Sequence, residues 1–310
     1  MFEKLYSIFS SNRFNNRLLQ ILIVLACIFV IYSLYNRYYV TKLEGFQQSD
    51  KYILRENEHI YDDFYSQIYD DLMLPETSTE YTVSKIIEMT QPSKHYSVFL
   101  DVGSKTGHRL HSLIKKGYQA YGIEPSKAMV GFSQTKFPDI SVKCGNVNHP
   151  ITYDRATFTH ILCTDLNLYE MEKKSTFFQN CYFWLQQNGY LILHLVDRNQ
   201  FDTIIPAGKP ALLDNPQKYL ENRITDTLID FINFKYKSSY VFNKDNLHVL
   251  HKETFTDTKT NVVRENEKTL YMESIEEILL NASNYGFLVK GKVGIENKKG
   301  EYLYILERIM

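Results

Sequence analysis

The stretch Val98-Phe-Leu-Asp-Val-Gly-Ser-Lys-Thr-Gly107 decides the fold of this chain. It predicts a buried strand that ends in an acid, followed by a glycine-bearing turn and the start of a helix. The next apolar run, 119–123, is followed by a second acid, Glu124. Parallel strands bring their carboxyl ends to one edge of a sheet, so both acids are expected beside a ligand site above the turn.

Short apolar runs alternate with helical patterns as far as Val196, which predicts right-handed βαβ units in a parallel sheet. Before this region, an amphipathic helix is predicted over His59–Met73 and a second helix over Thr79–Thr90. After it, extended segments within 225–272 predict an antiparallel β insertion. Two further strand patterns, over 287–295 and 302–307, predict a C-terminal antiparallel hairpin.

Composition narrows the classes of function. The 310 residues carry a net charge of −1, which argues against a nucleic-acid partner, because a dedicated nucleic-acid binder has a basic surface. The four cysteines form no C-x-x-C pair, so neither a disulfide framework nor a zinc knuckle is predicted. His248, His251 and Glu253 are close in sequence, but strand alternation puts His248 on the opposite face and argues against a metal site.

An apolar run from Leu18 to Tyr35 predicts a transmembrane helix, a single-pass membrane anchor. Arg17 and Arg37 bracket the run. A cleaved signal peptide would need a small-residue cleavage site, and a buried helix would show a polar face, and neither is present. Charges on the two sides of the span are too balanced to fix its orientation. The predicted organisation is an N-terminal flank (1–17), an anchor (18–36), a linker (37–57) and one domain (58–310) with the insertion at 225–272.

Five motifs in order resemble those of class I S-adenosylmethionine-dependent methyltransferases, and the resemblance covers about residues 58–310. The first is the stretch quoted above. The others are Gly-Ile-Glu-Pro-Ser-Lys-Ala-Met129, Cys-Gly-Asn-Val147, Phe-Thr-His-Ile-Leu-Cys163 and Trp-Leu-Gln-Gln-Asn-Gly-Tyr-Leu-Ile-Leu-His194. The resemblance implies an α/β fold with a doubly wound, seven-stranded, mostly parallel sheet whose last two strands form the antiparallel hairpin. The stretch 177–202 is also similar to methyltransferase-like proteins of large DNA viruses.

The resemblance further implies that the cofactor is S-adenosylmethionine. It places Asp101 near the ammonium group of the cofactor, and Gly103 and Gly107 where the backbone approaches the methionyl part. Glu124 would accept both ribose hydroxyls, because a carboxylate offers two acceptor oxygens. The cofactor-binding residues implied in this way are Asp101, Gly103, Lys105, Gly107, Glu124, Ser126, Met129, Asn146, Val147 and Cys163.

Several of these residues have a structural alternative. Asp101 and Glu124 are also suited to capping helices. Met129, implied to pack on the adenine, is equally suited to the core, and Asn146, implied to accept from the adenine amino group beside the Val147 amide, is also a common turn residue. The tyrosines at 61, 65 and 69 either close over the cofactor or pack a helix.

Lys105 departs from the family pattern, which has glycine at this position. A lysine there either adds strain, on the order of 1 kcal/mol if φ is positive, or obstructs the ligand, or pairs with the carboxylate of the cofactor. A dinucleotide-binding loop is disfavoured, because that fingerprint would need glycines where Lys105 and His108 stand.

The leading hypothesis is a membrane-anchored methyltransferase whose domain faces the cytosol, with a small-molecule or protein acceptor that the sequence does not identify. No catalytic residue is assigned. Candidate bases follow the fourth and fifth strands, where Asp165, Tyr169, Glu170 and His194 stand. The alternative is a catalytically degenerate interaction or structural protein that kept the fold, an interpretation that Lys105 motivates.

Overall fold

The computed structural model describes residues 20–31, 51–209, 216–220, 222–243, 247–295 and 298–309. The chain divides into two compact units, Met1–Leu43 and Glu44–Met310. In the first unit, residues 20–31 form a helix whose side chains are all exposed. None of the helices in the described ranges is both long enough and apolar enough to cross a membrane. The other parts of the predicted anchor, 18–19 and 32–36, lie outside the described residues, as does the flank 1–17.

The second unit contains two β-sheets and six α-helices among its described residues. The helices are α1 (Asp63–Met73), α2 (Pro75–Thr90), α3 (His108–Lys115), α4 (Lys127–Lys136), α5 (Lys174–Trp184) and α6 (Ile275–Asn284). The strands are β1 (Tyr52–Glu56), β2 (Val98–Val102), β3 (Gln119–Glu124), β4 (Val142–Cys144), β5 (Phe158–Cys163), β6 (Leu185–Val196), β7 (Asp226–Asp230), β8 (Phe234–Phe242), β9 (His248–Asp257), β10 (Val263–Tyr271), β11 (Phe287–Gly294) and β12 (Glu301–Arg308).

The central sheet has seven strands in the order β11-β12-β6-β5-β2-β3-β4. The five strands from β6 to β4 pair in parallel, and β12 pairs antiparallel to both β6 and β11. Asp101 on β2 stands opposite Gly122 on β3 and Leu162 on β5, so its carboxylate lies near the carboxyl edge of the sheet's centre. The predicted α/β class, the seven strands and the reversed terminal hairpin are confirmed.

The second sheet is the antiparallel insertion, extended by one strand at its edge. Its order is β1-β10-β9-β8-β7, with β7 to β10 antiparallel and β1 parallel to β10. β1 is a correction to the predicted linker at 37–57, because residues 52–56 belong to the folded unit; residues 37–50 lie outside the described ranges. Ile53 is the one buried residue of β1, and a single inward side chain gives no alternation to detect.

Helix α1 is attached to the second sheet by a buried polar network. Its N-cap, Asp62, accepts from the Tyr65 amide at 3.1 Å, so the α-helix begins four residues after the predicted start, behind a 3₁₀ turn over 57–60. Arg264 on β10 donates to Asp62 Oδ2 at 2.8 Å and to the Ile60 carbonyl at 3.1 Å. Tyr65 donates to Glu253 on β9 at 2.9 Å. These bonds hold α1 against the sheet across the site described next.

Candidate active site

The glycine turn between β2 and α3 is shaped by its neighbours in the protein. Gly103 and Gly107 have φ values of +66° and +82°, which favour glycine. A Cβ on Gly103 would lie 2.6 Å from Asn167 Nδ2, and one on Gly107 would lie 2.5 Å from Ile140 Cδ1. Backbone conformation and close packing therefore explain why glycine is needed at both positions. The explanation does not require the backbone to approach a cofactor, which is the role that the family resemblance implies.

Asn167 holds this turn in place, although sequence reasoning did not single it out. Its Nδ2 donates to the carbonyls of Val102 at 3.1 Å and Gly103 at 3.0 Å. The side chain comes from the loop after β5, so two neighbouring strand ends are joined through one amide. Its only sequence signal is a polar residue soon after a predicted strand, which many loops share.

Asp101 is completely buried at the tip of β2. Its Oδ1 accepts from Arg109 Nε at 3.1 Å, and its Oδ2 has no hydrogen-bond partner among the described residues. Burial raises the pKa of Asp101 in spite of the guanidinium beside it. Asp101 does not cap α3, whose N-cap is Gly107 without a side-chain bond. The unpartnered oxygen leaves room for one donor from a ligand or a water.

Arg109 links Asp101 to the next strand end. Its Nη1 donates to Asp165 Oδ2 at 2.8 Å, and the guanidinium lies along a cavity wall. Burial would lower the pKa of Arg109, but the two carboxylates outweigh that effect and raise it. Arg109 was not predicted, because a charged residue in the first turn of a helix is unremarkable in sequence.

Glu124, at the end of β3, is also completely buried. Its Oε2 accepts from the Lys105 amide at 3.1 Å and its Oε1 from the Ser126 amide at 3.0 Å. Burial raises the pKa of Glu124, with the Lys105 charge and the two amides acting in the opposite direction. Each oxygen retains a lone pair, so two ribose hydroxyls fit its remaining acceptor capacity.

Lys105 belongs to a compact group with Tyr61, Glu170 and Lys268, called here the lysine cluster. Lys105 Nζ lies 3.6 Å from the Tyr61 ring centroid and 3.6 Å from Glu170 Oε2. Lys268 Nζ lies 2.5 Å from Tyr61 Oη and 3.2 Å from Glu170 Oε1, and Tyr61 Oη donates to the same carboxylate at 2.7 Å. Burial would raise the pKa of Glu170, but the two ammonium groups outweigh it and hold that pKa at about 2.

The other predicted cofactor residues are engaged within the protein. Ser126 caps α4 and its hydroxyl donates to the Tyr61 carbonyl. Asn146 accepts from the Asn148 amide at 2.9 Å, as a turn residue does. Met129, Val147 and Cys163 are buried, and none of them lines the cavity described next. The structure thus brings Asp101, Lys105 and Glu124 together around the turn. The side chains predicted to contact adenine, Met129 and Asn146, do not form an exposed binding surface for it.

A cavity of about 630 Å³ opens between the carboxyl edge of the central sheet and the second sheet. The lysine cluster, Arg109 and Asp165 line one part, and residues on β8 to β10, such as Tyr240 and His251, line another. His194 Nε2 lies 3.0 Å from Glu301 Oε2, and both residues line the wall. Of the candidate bases, Tyr169 is excluded from the cavity, because it is buried with its hydroxyl on the Val196 backbone.

Part of this chain is similar to a known family and to a known relative. Residues 99–189 match the sequence model of a methyltransferase domain. An uncharacterised methyltransferase of Alkaliphilus oremlandii (strain OhILAs) is 30% identical over 117 residues, which make up 37% of this chain and 52% of that protein. The chain therefore spans about half the length of the curated relative that it matches.

Solved structures share the fold across most of the chain. An S-adenosylmethionine-dependent methyltransferase from Clostridium acetobutylicum has a TM-score of 0.59 at 16% identity, covering 79% of this chain and 98% of its own. The CcbJ methyltransferase from Streptomyces caelestis has a TM-score of 0.60 at 12% identity, covering 81% and 98%. An amino pentose methyltransferase from Micromonospora echinaspora, with S-adenosylmethionine bound, has a TM-score of 0.53 at 16% identity, covering 75% and 91%.

The sheet order and the paired acids beside the glycine turn thus define a protein of the class I S-adenosylmethionine-dependent methyltransferase fold. The match to the methyltransferase domain model covers residues 99–189 of this chain. The predicted resemblance is confirmed, and the same findings support the predicted enzyme class and cofactor.

Proposed function

We propose that this protein transfers a methyl group from S-adenosylmethionine to a small-molecule acceptor. One observation carries the proposal: Asp101 and Glu124 end adjacent parallel strands on either side of the glycine turn, and both keep unused acceptor capacity. The unpartnered Asp101 Oδ2 suits an ammonium group, directly or through water. The Glu124 carboxylate suits a ribose. In this proposal the two residues would hold the methionyl and ribose parts of the cofactor, although both are fully buried and neither lines the cavity.

The cofactor supplies a methyl group already activated on sulfonium, so the protein mainly orients the two reactants and excludes water. The cavity is of the size that encloses a small ligand. Two structural neighbours are named for sugar substrates, the amino pentose methyltransferase above and a sugar N-methyltransferase from Streptoalloteichus. A small amine or alcohol is the acceptor class that these features favour.

An acceptor of this kind releases a proton, and His194 is the group that we assign to receive it. Its ring pairs with Glu301 through Nε2, which leaves Nδ1 as the second ring nitrogen. His194 also lines the cavity, where an acceptor would lie. Of the other candidates on the cavity wall, Glu170 is committed to two lysines and Tyr61 in the lysine cluster, and Asp165 is committed to Arg109.

The decisive experiment is calorimetric titration of the full chain with S-adenosylhomocysteine. We expect saturable binding, and a loss of about a hundredfold or more in Glu124→Ala, because the ribose hydroxyls lose two charge-assisted bonds. Glu88→Ala removes an exposed glutamate that pairs with Lys85 and serves as the control. Absence of binding in the wild type would sink the enzyme and favour the catalytically degenerate alternative.

We further propose that the segment 18–36 anchors the enzyme in a membrane, with the second unit in the cytosol, where the cofactor is made. The sequence of this segment is apolar and bracketed by Arg17 and Arg37. In its described part, 20–31, large apolar side chains such as Phe29 and Ile31 are exposed on the helix surface. Hydrocarbon surroundings would accommodate such a surface better than water.

A further inference from the structure

The cavity follows helix α1 for its whole length. Tyr61, two residues before the helix, lines the cavity, and so do Tyr69 and Met73 within the helix. With a rise of 1.5 Å for each residue, the helix from Asp63 to Met73 extends over about 15 Å. The cavity is therefore elongated, and the chemistry of its two ends can be compared.

The cavity is polar at Tyr61 and in its middle. Tyr61 belongs to the lysine cluster, whose charged groups line this end. Burial raises the pKa of Tyr69, with the nearby charge of Asp165 acting in the same direction and that of Arg109 in the opposite one. Burial would raise the pKa of Asp165, but Arg109 and His194 outweigh it and lower that pKa. The candidate base His194 is thus close to Asp165, in the middle of the cavity.

Beyond Tyr69 the cavity wall becomes apolar, and we call this part the apolar end. Its side chains come from the corner between α1 and α2 and from the segment that follows β6. They are Met73, Leu74, Pro75, Ile204, Ile205 and Pro206. The two groups lie close together, because α1 packs against the 3₁₀ turn Pro206–Gly208. A hydrocarbon group that enters this end removes apolar surface from water on the ligand and on the wall.

The segment 201–206 is a preformed wall of the cavity. Its Asp202 amide donates to Glu301 Oε1 at 3.1 Å, which places the start of the segment beside the His194–Glu301 pair. The Ile204 amide donates to Asp202 Oδ1 at 3.0 Å. The wall therefore runs from the candidate base to the apolar end, and a single ligand can contact both.

Leu74, at the apolar end, is a residue that the fold alone does not require. It ends α1 directly before Pro75 of α2, with a φ of +43° in the left-handed region that favours glycine and asparagine. Its side chain is 47% exposed, so it adds little to the core. A strained, half-exposed leucine on a cavity wall is accounted for by contact with an apolar ligand group.

We propose that the methyl acceptor is amphiphilic, with its amine or hydroxyl beside His194 and a hydrocarbon group of several carbons in the apolar end. The role of this ligand as an acceptor rests on the proposed function. The binding of the hydrocarbon group does not, because the apolar end shares no residue with the predicted cofactor site. The proposal excludes acceptors that are polar throughout, such as an unmodified sugar.

The test measures the binding of ethylamine, butylamine, hexylamine and glucosamine to the full chain in mild detergent by saturation-transfer NMR. Glucosamine matches hexylamine in its six carbons and its amine but is polar throughout. Each titration is repeated with saturating S-adenosylhomocysteine, whose own binding is measured by calorimetry, and in detergent alone as a blank.

Two variants make the apolar end polar at similar size: Met73→Gln and Leu74→Asn. Asparagine also suits the left-handed backbone at position 74, so Leu74→Asn should melt no lower than the wild type. Leu280→Gln on α6 is the matched control, because Leu280 is 65% exposed and does not line the cavity. Circular dichroism and thermal melts verify that each variant folds.

We expect the affinity of the wild type to rise about threefold to fourfold for each methylene added to the amine, and hexylamine to bind at least about tenfold more tightly than glucosamine. Met73→Gln and Leu74→Asn should each lower the affinity for hexylamine about fivefold or more and leave that for ethylamine within about twofold. Leu280→Gln should behave as the wild type. A flat affinity from ethylamine to hexylamine, tighter binding of glucosamine, or a chain-length effect that persists in both variants overturns the proposal.

A second arm identifies the source of the hydrocarbon group by adding phosphatidylethanolamine to the detergent micelles. Displacement of hexylamine indicates a membrane lipid, and undiminished hexylamine binding indicates a soluble amphiphile. Failure of S-adenosylhomocysteine to bind, while hexylamine binding still depends on Met73 and Leu74, overturns the proposed methyltransferase and leaves the hydrocarbon site standing. Binding of S-adenosylhomocysteine without any chain-length effect does the reverse.

Discussion

Among single residues, Gly103 offers the sharpest test of how the turn is held. In Gly103→Ala, the new side chain at φ +66° adds about 1 kcal/mol of strain. Its Cβ, 2.6 Å from Asn167 Nδ2, displaces that amide from two carbonyls, at about 1 kcal/mol for each lost bond. We expect the free energy of unfolding in urea to fall by about 2–4 kcal/mol. Gly145→Ala, where the nearest atom is 3.7 Å away, is the control. Equal losses in both variants would contradict the assignment.

Glu301 gives a prediction about pH. Burial would raise the pKa of Glu301, but Lys298 and His194 outweigh it and hold that pKa at about 2, below the ordinary value of 4.5. A folded pKa below the unfolded one means that the stabilisation is complete above pH 4.5 and is lost as the pH falls towards 2. Its size is on the order of 3 kcal/mol.

In Glu301→Gln this stabilisation is absent, so the variant is less stable than the wild type at pH 7, and the two converge as the pH falls to about 2. Urea unfolding at several pH values measures the difference. The exposed Glu88→Gln variant should instead track the wild type at every pH. A gap between Glu301→Gln and the wild type that does not narrow with acid would refute the ion-pair account.

Some residues of the site could be predicted from the sequence around them, and others could not. Asp101 and Glu124 were predictable, because each ends an apolar run at a fixed place in an ordered set of motifs. The roles of three other residues were not predictable: Arg109, Asn167 and Glu301. They depend on contacts between segments that are distant in sequence, or on the direction that a charged side chain takes after folding.

Among the elements, helix α1 is held to the second sheet by the contacts of one buried side chain. Arg264 is almost fully buried and bonds to Asp62, the Ile60 carbonyl and Asn266, the last at 3.0 Å. Its guanidinium also lies 4.6 Å from the Phe64 ring centroid. Without Arg264, the Ile60 carbonyl and the Asn266 side chain lose a buried donor, at about 1–3 kcal/mol for each. Asp62 is about a third exposed and keeps Arg55 at 3.5 Å.

We therefore expect Arg264→Met to lower the free energy of unfolding by about 2–4 kcal/mol. The amides of α1 should exchange with deuterium faster, because this helix loses its attachment to β10. Lys252→Met, on the neighbouring strand β9, removes a half-exposed ion pair with Glu267 and is the control. Unchanged exchange in α1 would show that other contacts suffice to hold it.

The secondary structure was predictable where the period of apolar residues was clear. Strands β2, β5 and β12 were found because each buries several consecutive or alternate side chains. β1 was missed because its partner, β10, lies about two hundred residues away and only Ile53 is buried. A strand that adds to a sheet edge is specified by that edge more than by its own sequence.

At the scale of the whole molecule, residues from both sheets line the cavity. The sequence of either sheet alone does not predict it. The central sheet supplies Asp165 and His194 at its carboxyl edge, and the insertion supplies Tyr240, His251 and Lys268. The antiparallel insertion at 225–272 was predictable as strands. Lys268, on the inward face of the insertion, contacts Tyr61 and Glu170. This contact was not predictable, because it forms only when three separate segments approach one another in the fold.

The membrane anchor is the prediction that concerns the chain as a whole. If 18–36 inserts into a bilayer, the full chain sediments with membranes and resists extraction by alkaline carbonate.

Replacing Ile23 and Ile28 with lysine adds about 2.5–3.5 kcal/mol of insertion cost for each residue near the centre of the span. We expect this double variant to appear in the supernatant with its S-adenosylhomocysteine affinity unchanged, because neither residue belongs to the second unit. Exchanging the same two isoleucines for leucine keeps the apolar character and should leave the chain in the pellet. A wild-type chain released by carbonate would remove the anchor from the proposed function, while the cofactor-binding results would stand independently.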